Sequence, residues 1–228
     1  MKILVIAGVH GNEKFGLKVL AELEARESRD ITLRIAHPEA IAKNKRFIEE
    51  DLNRSFGSGR TTIEGRIASR LRAEILASNP DLIIDLHTST VDVGLVAITA
   101  QHNEFLSGVA KRLSIPRMAV MLDSIASQAL IGQNPEKSLC IEVGAGLRSN
   151  RLARLLAERI HNLLSYQSVP QGKVEIYKIR RLISKRDAGK SRLVNYEYCP
   201  SLKGYPFLAG EKNYTDYSGF LADRRVEV

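Results

Sequence analysis

Ile3-Leu4-Val5-Ile6-Ala7-Gly8 is an unbroken apolar run, and Val9-His10-Gly11-Asn12-Glu13 follows it directly. A short continuous run closed by glycine reads as a buried strand. Phe15, Leu17, Leu20 and Leu23 then share one face of a helix that should end near Ser28. Thr32 to Ala36 reads as a second strand, stopped by His37-Pro38. Helical spacing returns at Ile63, Ile67, Leu71 and Ile75, ended by Asn79-Pro80. The run Leu82-Ile83-Ile84-Asp85-Leu86 leads into His87 as another strand. Further strands are predicted near 94–99, 118–122 and 139–143, with helices near 104–113 and 150–164. This alternation predicts an α/β fold with a mixed, largely parallel sheet and helices on both faces.

The pattern breaks at Pro170-Gln171-Gly172, and Val174, Ile176 and Ile179 beyond it suggest strands among turns rich in Gly, Pro, Asn and Ser. Two units are therefore expected: an α/β domain over 1–168 and a small β-rich part over 169–228. Residues 44–62 read as a polar, irregular connection, which at this length is usually functional.

Composition narrows the class. The chain has 228 residues, 44% hydrophobic and 26% charged, which is ordinary for a soluble globular protein that buries a sizeable core. No apolar run is long enough to span a bilayer, so no membrane partner is expected. The N-terminus carries no signal-peptide cleavage region, and a cytoplasmic location is the expectation. Cys140 and Cys199 are too few for a disulfide scaffold and read as free thiols. The net charge is +8, and between Lys173 and Arg192 eight Lys or Arg stand against Glu175 and Asp187. That segment could attract an anionic substrate or contact nucleic acid. No nucleic-acid-binding motif accompanies it, which favours a solvated face. The sequence leaves a homo-oligomer open.

His10 and Glu13 stand where a strand ends and a helix begins, the place where open α/β sheets bind ligands. An imidazole and a carboxylate three positions apart can converge on one cation. Catalytic zinc sites take three protein ligands and keep a position open, and His87 at another strand end would be the third. A solvated pair is the plain alternative for His10 and Glu13, since such a motif alone is weak. Glycines around the pair suggest that backbone approaches a ligand closely there. Arg54 offers a planar fork for a carboxylate, Asn53 offers amide groups, and Arg46 could approach a polarised carbonyl. Glu142 closes an apolar strand as a candidate general base, with a capping or salt-bridged glutamate as the plain alternative.

Gly8-Val9-His10-Gly11-Asn12-Glu13, Asp51-Leu52-Asn53-Arg54, Asp85-Leu86-His87-Thr88 and Ile141-Glu142-Val143-Gly144 occur in this order. Together they resemble the succinylglutamate desuccinylase/aspartoacylase family, which is related to the zinc carboxypeptidases. The resemblance spans residues 8–144. It implies a zinc carboxypeptidase-like fold and one zinc per chain on His10, Glu13 and His87. It implies Glu142 as general base and proton shuttle, Arg46 polarising the scissile carbonyl, and Asn53 and Arg54 holding a substrate carboxylate. Tyr214 looks like the tyrosine that the family's C-terminal part adds to the pocket. The implied activity is hydrolysis of the amide bond of a small anionic N-acyl amino acid. Aspartoacylases carry a further substrate-binding arginine shortly before the catalytic glutamate, whereas Asp123 through Ile141 contains only Lys137. A metallocarboxypeptidase acting on peptides, including cell-wall peptides, would share the ligands and the glutamate. A basic nucleic-acid-binding module with a vestigial site is the alternative outside enzymes.

Overall fold

The computed structural model describes the chain except residues 58, 60, 166–171 and 227–228. The expected division between 168 and 169, with Pro170 and Gln171, lies outside the described residues, as do two positions of the 44–62 connection.

The elements follow one another as β1 (Ile3–Ala7), α1 (Phe15–Glu24), β2 (Ile31–Ile35), α2 (Pro38–Ala42), α3 (Ile63–Ser78), β3 (Leu82–Thr88) and β4 (Leu95–Thr99). Then come α4 (Glu104–Arg112), β5 (Arg117–Val120), α5 (Asp123–Ala126), β6 (Ser138–Val143), α6 (Asn150–Asn162), β7 (Glu175–Ser184), α7 (Lys185–Ala188), β8 (Tyr205–Phe207) and β9 (Tyr217–Val226). Helix limits are set by local chemistry. Thr62, Asn103 and Ser149 each accept a backbone N–H from the first turn of α3, α4 and α6. Asn79 closes α3 in the left-handed region at φ 38°, and Pro80 prevents its continuation.

All nine strands among the described residues join one sheet in the order β2-β1-β3-β6-β4-β5-β7-β9-β8. The pairs β1/β2, β1/β3, β3/β6, β4/β5 and β5/β7 are parallel, and β4/β6, β7/β9 and β8/β9 are antiparallel. This is the expected mixed, largely parallel sheet. The strands of the C-terminal part extend this same sheet beyond β5.

Alternation sorts the side chains between two faces. Ile3, Val5 and Ala7 pack with α1, α4 and α6, through residues such as Val19, Val109 and Leu156. Leu4 and Ile6 face the other way, onto Ala68, Leu71 and Ile75 of α3. Further along that second face, Val96, Ile98 and Tyr177 pack with Phe207, Leu208 and Phe220 from the C-terminal part. That second face is therefore covered partly by a helix and partly by C-terminal chain, and the candidate site lies where these covers meet.

Candidate active site

The C-terminal ends of β1, β3 and β6 lie side by side. Ala7 is in register with Leu86, and His87 with Glu142. Three sequence motifs distant in the chain are thereby brought together by backbone pairing alone. Beyond β1, Gly8 turns the chain at φ +72°. A Cβ on Gly11 would stand 2.1 Å from the carbonyl carbon of Ala40. The glycine between His10 and Glu13 thus admits the backbone of α2. The expected close approach to a ligand is not what that glycine serves.

His10, Glu13 and His87 are buried and offer ligand atoms that all lie within 4.8 Å of one another. Glu13 stands between the two rings. Its Oε1 is 2.7 Å from His10 Nδ1 and its Oε2 is 3.3 Å from His87 Nδ1. Thr88 N donates to Oε2 at 2.7 Å and ties the carboxylate to the end of β3. The outer ring nitrogens each meet a carboxylate, His10 Nε2 at 2.9 Å from Asp51 Oδ1 and His87 Nε2 at 2.7 Å from Asp85 Oδ2. A carboxylate on each outer nitrogen orients the ring so that Nδ1 is the nitrogen turned inward, towards Glu13. Two imidazoles and one carboxylate with this outer support form a donor set suited to zinc. The residues fit the metal.

The charges follow from the same contacts. Burial raises the Glu13 pKa, but His10 and His87 outweigh it and hold the carboxyl far below its ordinary range. Burial lowers the His87 pKa, and Asp85 and Glu13 overcome that and raise it well above the ordinary value. Burial, followed by the charge of Glu13, pushes the half-buried Glu142 up to about 8, against the pull of His87. An acid near neutrality can both accept and return a proton.

Arg46 stands beside the cluster. Its Nη2 donates to Asp51 Oδ2 at 3.0 Å and its Nη1 to Glu13 Oε1 at 3.3 Å. Asp51, capping the short 3-10 turn Leu52–Arg54, accepts from Asn53 N as well as from His10 and Arg46. Asn53 uses its Oδ1 to accept Leu130 N at 3.1 Å, so its amide N–H group remains the donor end. The loop that carries Arg46 and Asp51 is fixed from behind by Glu64. That fully buried carboxylate takes His37 Nε2 at 2.9 Å and the backbone N–H groups of Ile48, Glu49 and Glu50.

One cavity collects His10, Glu13, Arg46, Asn53, Arg54, His87, Glu142 and Tyr214. Every site residue expected from the sequence therefore lines the same cavity. Its volume is about 90 Å³, room for a small solute. Chain from the C-terminal part closes one side with Leu208, Glu211, Asn213, Tyr214 and Phe220. Glu211 holds that chain down: its carboxylate accepts Ser89 Oγ at 2.7 Å, Thr90 N at 2.8 Å and Thr90 Oγ1 at 2.7 Å, just past His87. Tyr214 stacks on Tyr217 with ring centroids 4.4 Å apart, and burial raises the Tyr217 pKa against the pull of the Arg54 charge. The sequence reading did not single out Glu64, Glu211 or Tyr217. Nothing marks a buried carboxylate whose partners are backbone N–H groups or lie over a hundred residues away. Asp51 and Asp85 open the motifs Asp51-Leu52-Asn53-Arg54 and Asp85-Leu86-His87-Thr88, and each supports the outer nitrogen of one histidine.

Comparison with known proteins bears on this geometry. Residues 1–166 match the succinylglutamate desuccinylase/aspartoacylase catalytic domain. A probable aspartoacylase of Nostoc sp. is 26% identical over 187 residues, covering 72% of this chain and 63% of the relative. An N-acyl-aromatic-L-amino acid amidohydrolase (carboxylate-forming) B of Danio rerio is 24% identical over 257 aligned positions, 95% of this chain and 82% of the relative. The chain spans less than two thirds of the first curated relatives it matches, 63% of two and 55% of a third. The crystal structure of murine aminoacylase 3 shares the fold with a TM-score of 0.76 at 18% identity, over 100% of this chain and 96% of that one. Among the described residues, no helix is long and apolar enough to cross a membrane.

Proposed function

The chain belongs to the succinylglutamate desuccinylase/aspartoacylase family, and from that membership we propose that it is a zinc-dependent amidohydrolase that removes the acyl group from a small N-acyl amino acid. The observation that carries this reading is the convergence of His10, Glu13 and His87 with Glu142, Arg46 and Arg54 in one cavity of small-solute size. The C-terminal chain over that cavity favours a small substrate over a peptide that must enter lengthwise. Relatives named as aspartoacylases, succinylglutamate desuccinylases and N-acyl-aromatic amino acid amidohydrolases are consistent with it.

His10, Glu13 and His87 would hold the zinc, with Asp51 and Asp85 orienting the two rings. The ion would supply a Lewis acid and acidify water towards neutrality. Arg54 and the Asn53 amide would grip the substrate carboxylate and so fix the scissile bond relative to Glu142. Glu142 would take a proton from the attacking water and deliver it to the departing amine. Arg46, anchored on Asp51, would donate to the carbonyl oxygen as negative charge develops there. Protein purified without chelator should carry close to one equivalent of zinc by elemental analysis and should hydrolyse members of a panel of N-acyl amino acids. A folded protein that takes up no divalent metal when supplied with it would sink this reading.

A further inference from the structure

The cavity has two unlike walls. Around Arg54, Asn53 and Glu142 it is polar. Elsewhere it is built from Ile98 of β4, Met121 ahead of α5, Ile125 and Ala126 of α5, and Ala129 and Ile131 just beyond α5. Met121, Ala126, Ala129 and Ile131 are buried members of one apolar cluster that also contains Phe220. Ile125, Ala126, Ala129 and Ile131 of this wall belong to the stretch Asp123–Ile141, in which the family resemblance leads one to expect a second substrate-binding arginine. Lys137 does not replace it: its Nζ donates to Asn79 Oδ1 at 2.9 Å, at the other end of the strands. Among the described lining residues the arginines are Arg46 and Arg54, and no lysine is present. Arg46 is already engaged by Asp51 and Glu13. Arg54 is thus the cation placed for one substrate carboxylate, and the described lining holds no cation for a second.

Connectivity decides which part of the substrate meets the apolar wall. In an N-acyl amino acid the carboxylate and the side chain share the α-carbon, while the acyl group lies across the scissile bond. The polar clamp and the apolar wall are joined directly, because Asn53 Oδ1 accepts Leu130 N at 3.1 Å, between Ala129 and Ile131. A side chain that shares its α-carbon with a carboxylate held by Arg54 and Asn53 thus has this wall within reach. A second carboxylate placed there would lose its water and meet aliphatic carbon. We infer that the amino acid released by this site is apolar, of the leucine, methionine or phenylalanine type, and is not aspartate or glutamate. The inference rests on the deacylase reading for the reaction but on the wall alone for the preference.

The test separates those two parts. Zinc-loaded protein is assayed with N-acetyl-leucine, N-acetyl-phenylalanine, N-acetyl-aspartate and N-acetyl-glutamate, and titrated calorimetrically with leucine and aspartate. The apolar substrates should lead in kcat/KM by about 10²-fold or more, and leucine should bind tighter than aspartate. If the acidic substrates equal or exceed the apolar ones, the inference is wrong and the deacylase reading stands. If nothing in the panel is cleaved, the deacylase reading fails, and the calorimetric order then decides the preference by itself. Ile125 is only half-buried on α5, so Ile125→Arg places a cation on the wall with little disturbance. It should shift the aspartate-to-leucine ratio at least about 10-fold towards aspartate. A folded variant with an unchanged ratio would remove the wall from the side-chain site. If the variant does not fold, the wild-type ratios decide alone.

Discussion

Two regions build the cavity in different ways. His10, Glu13, His87 and Glu142 come from neighbouring strand ends, and the ladder that pairs His87 with Glu142 sets their spacing. The chain from Leu208 to Phe220 comes from the far end of the sequence and is held by side chains, above all by Glu211 on Ser89 and Thr90. His87 and Glu142 have little freedom, because shifting either means breaking a strand pairing, and His10 and Glu13 follow on the turn directly beyond β1. The second can vary without touching the sheet. The groups to which the proposed chemistry is assigned are accordingly tied to strand ends, and the cover of the cavity to packing that can be exchanged.

The largest effect should come from the first region. Glu142→Gln keeps the side-chain shape and removes the titrating group, so turnover should fall about 10²-fold or more with zinc content unchanged. Initial rates and elemental analysis on the same preparation check both halves. Loss of zinc in this variant would move Glu142 among the ligands and redraw the division between holding the metal and moving the proton.

Arg54 stands at the junction, lining the cavity together with Tyr214 of the second region. Arg54→Lys retains the charge but loses the planar fork, and kcat/KM for an N-acyl amino acid should drop by about 10- to 100-fold. The uncharged amide of the same substrate should be a poor substrate for wild type and lose little further in the variant. The four kcat/KM values form a double-mutant cycle across the contact. Simple additivity would mean that Arg54 does not grip the carboxylate, and the junction would then belong to the covering chain alone.

The same contrast explains what could be read in the sequence. Strands with continuous apolar runs, such as Ile3 to Ala7 and Leu82 to Leu86, carry their own signal, and parallel pairing follows from alternation with helices. The residues at their ends, His10, Glu13, His87 and Glu142, were therefore legible as a constellation. The four-residue helix α5 was not, since so short a segment shows no period. Its place in the wall depends on packing against Phe220, about a hundred residues later. Glu211 and Glu64 were invisible for a similar reason: a buried carboxylate satisfied by backbone N–H groups and hydroxyls leaves no spacing rule behind. The glycines around His10 and Glu13 suggest a close approach to a ligand, and the fold shows instead that Gly11 makes room for the backbone at Ala40.

Glu211 tests how firmly the second region is held. Burial raises its pKa, but the donors from Ser89, Thr90 and Asn213 outweigh this and hold the carboxyl below its usual value near 4.5. Glu211→Gln puts an amide N–H group among those donors and should cost about 2–3 kcal/mol in urea unfolding at neutral pH. A depressed folded pKa contributes stability above the unfolded value and loses it as pH falls through the folded one. The gap between wild type and variant should therefore be full above about pH 4.5 and shrink below it. A gap that is constant with pH would mean that shape, not charge, secures the covering chain.

The smallest effect concerns the basic segment, which belongs to neither contact region and adjoins the second through Lys185 and β9. Part of its charge is used in the fold: Lys185 Nζ donates to Tyr214 O at 3.1 Å, Arg181 pairs with Asp187, and Arg180 donates to Leu202 O and Lys203 O. Lys173, Lys178, Arg186, Lys190 and Arg192 are exposed. Exposed charges act at a distance and are screened beyond about 8 Å at physiological ionic strength. Such a field can raise the rate at which an anionic substrate is captured, but it cannot change the bound geometry. Raising salt from low to physiological levels should therefore lower kcat/KM by roughly two- to fivefold and leave kcat unchanged. Lys178→Gln with Arg186→Gln should flatten that dependence while leaving the preference among N-acyl amino acids intact, because neither residue lines the cavity. Tight binding to duplex DNA or RNA with the steep salt slope of counterion release would give the segment a different partner. A change in substrate preference in the double variant would instead mean that the field reaches into the pocket, and reaction, selection and capture could no longer be assigned to separate parts of the chain.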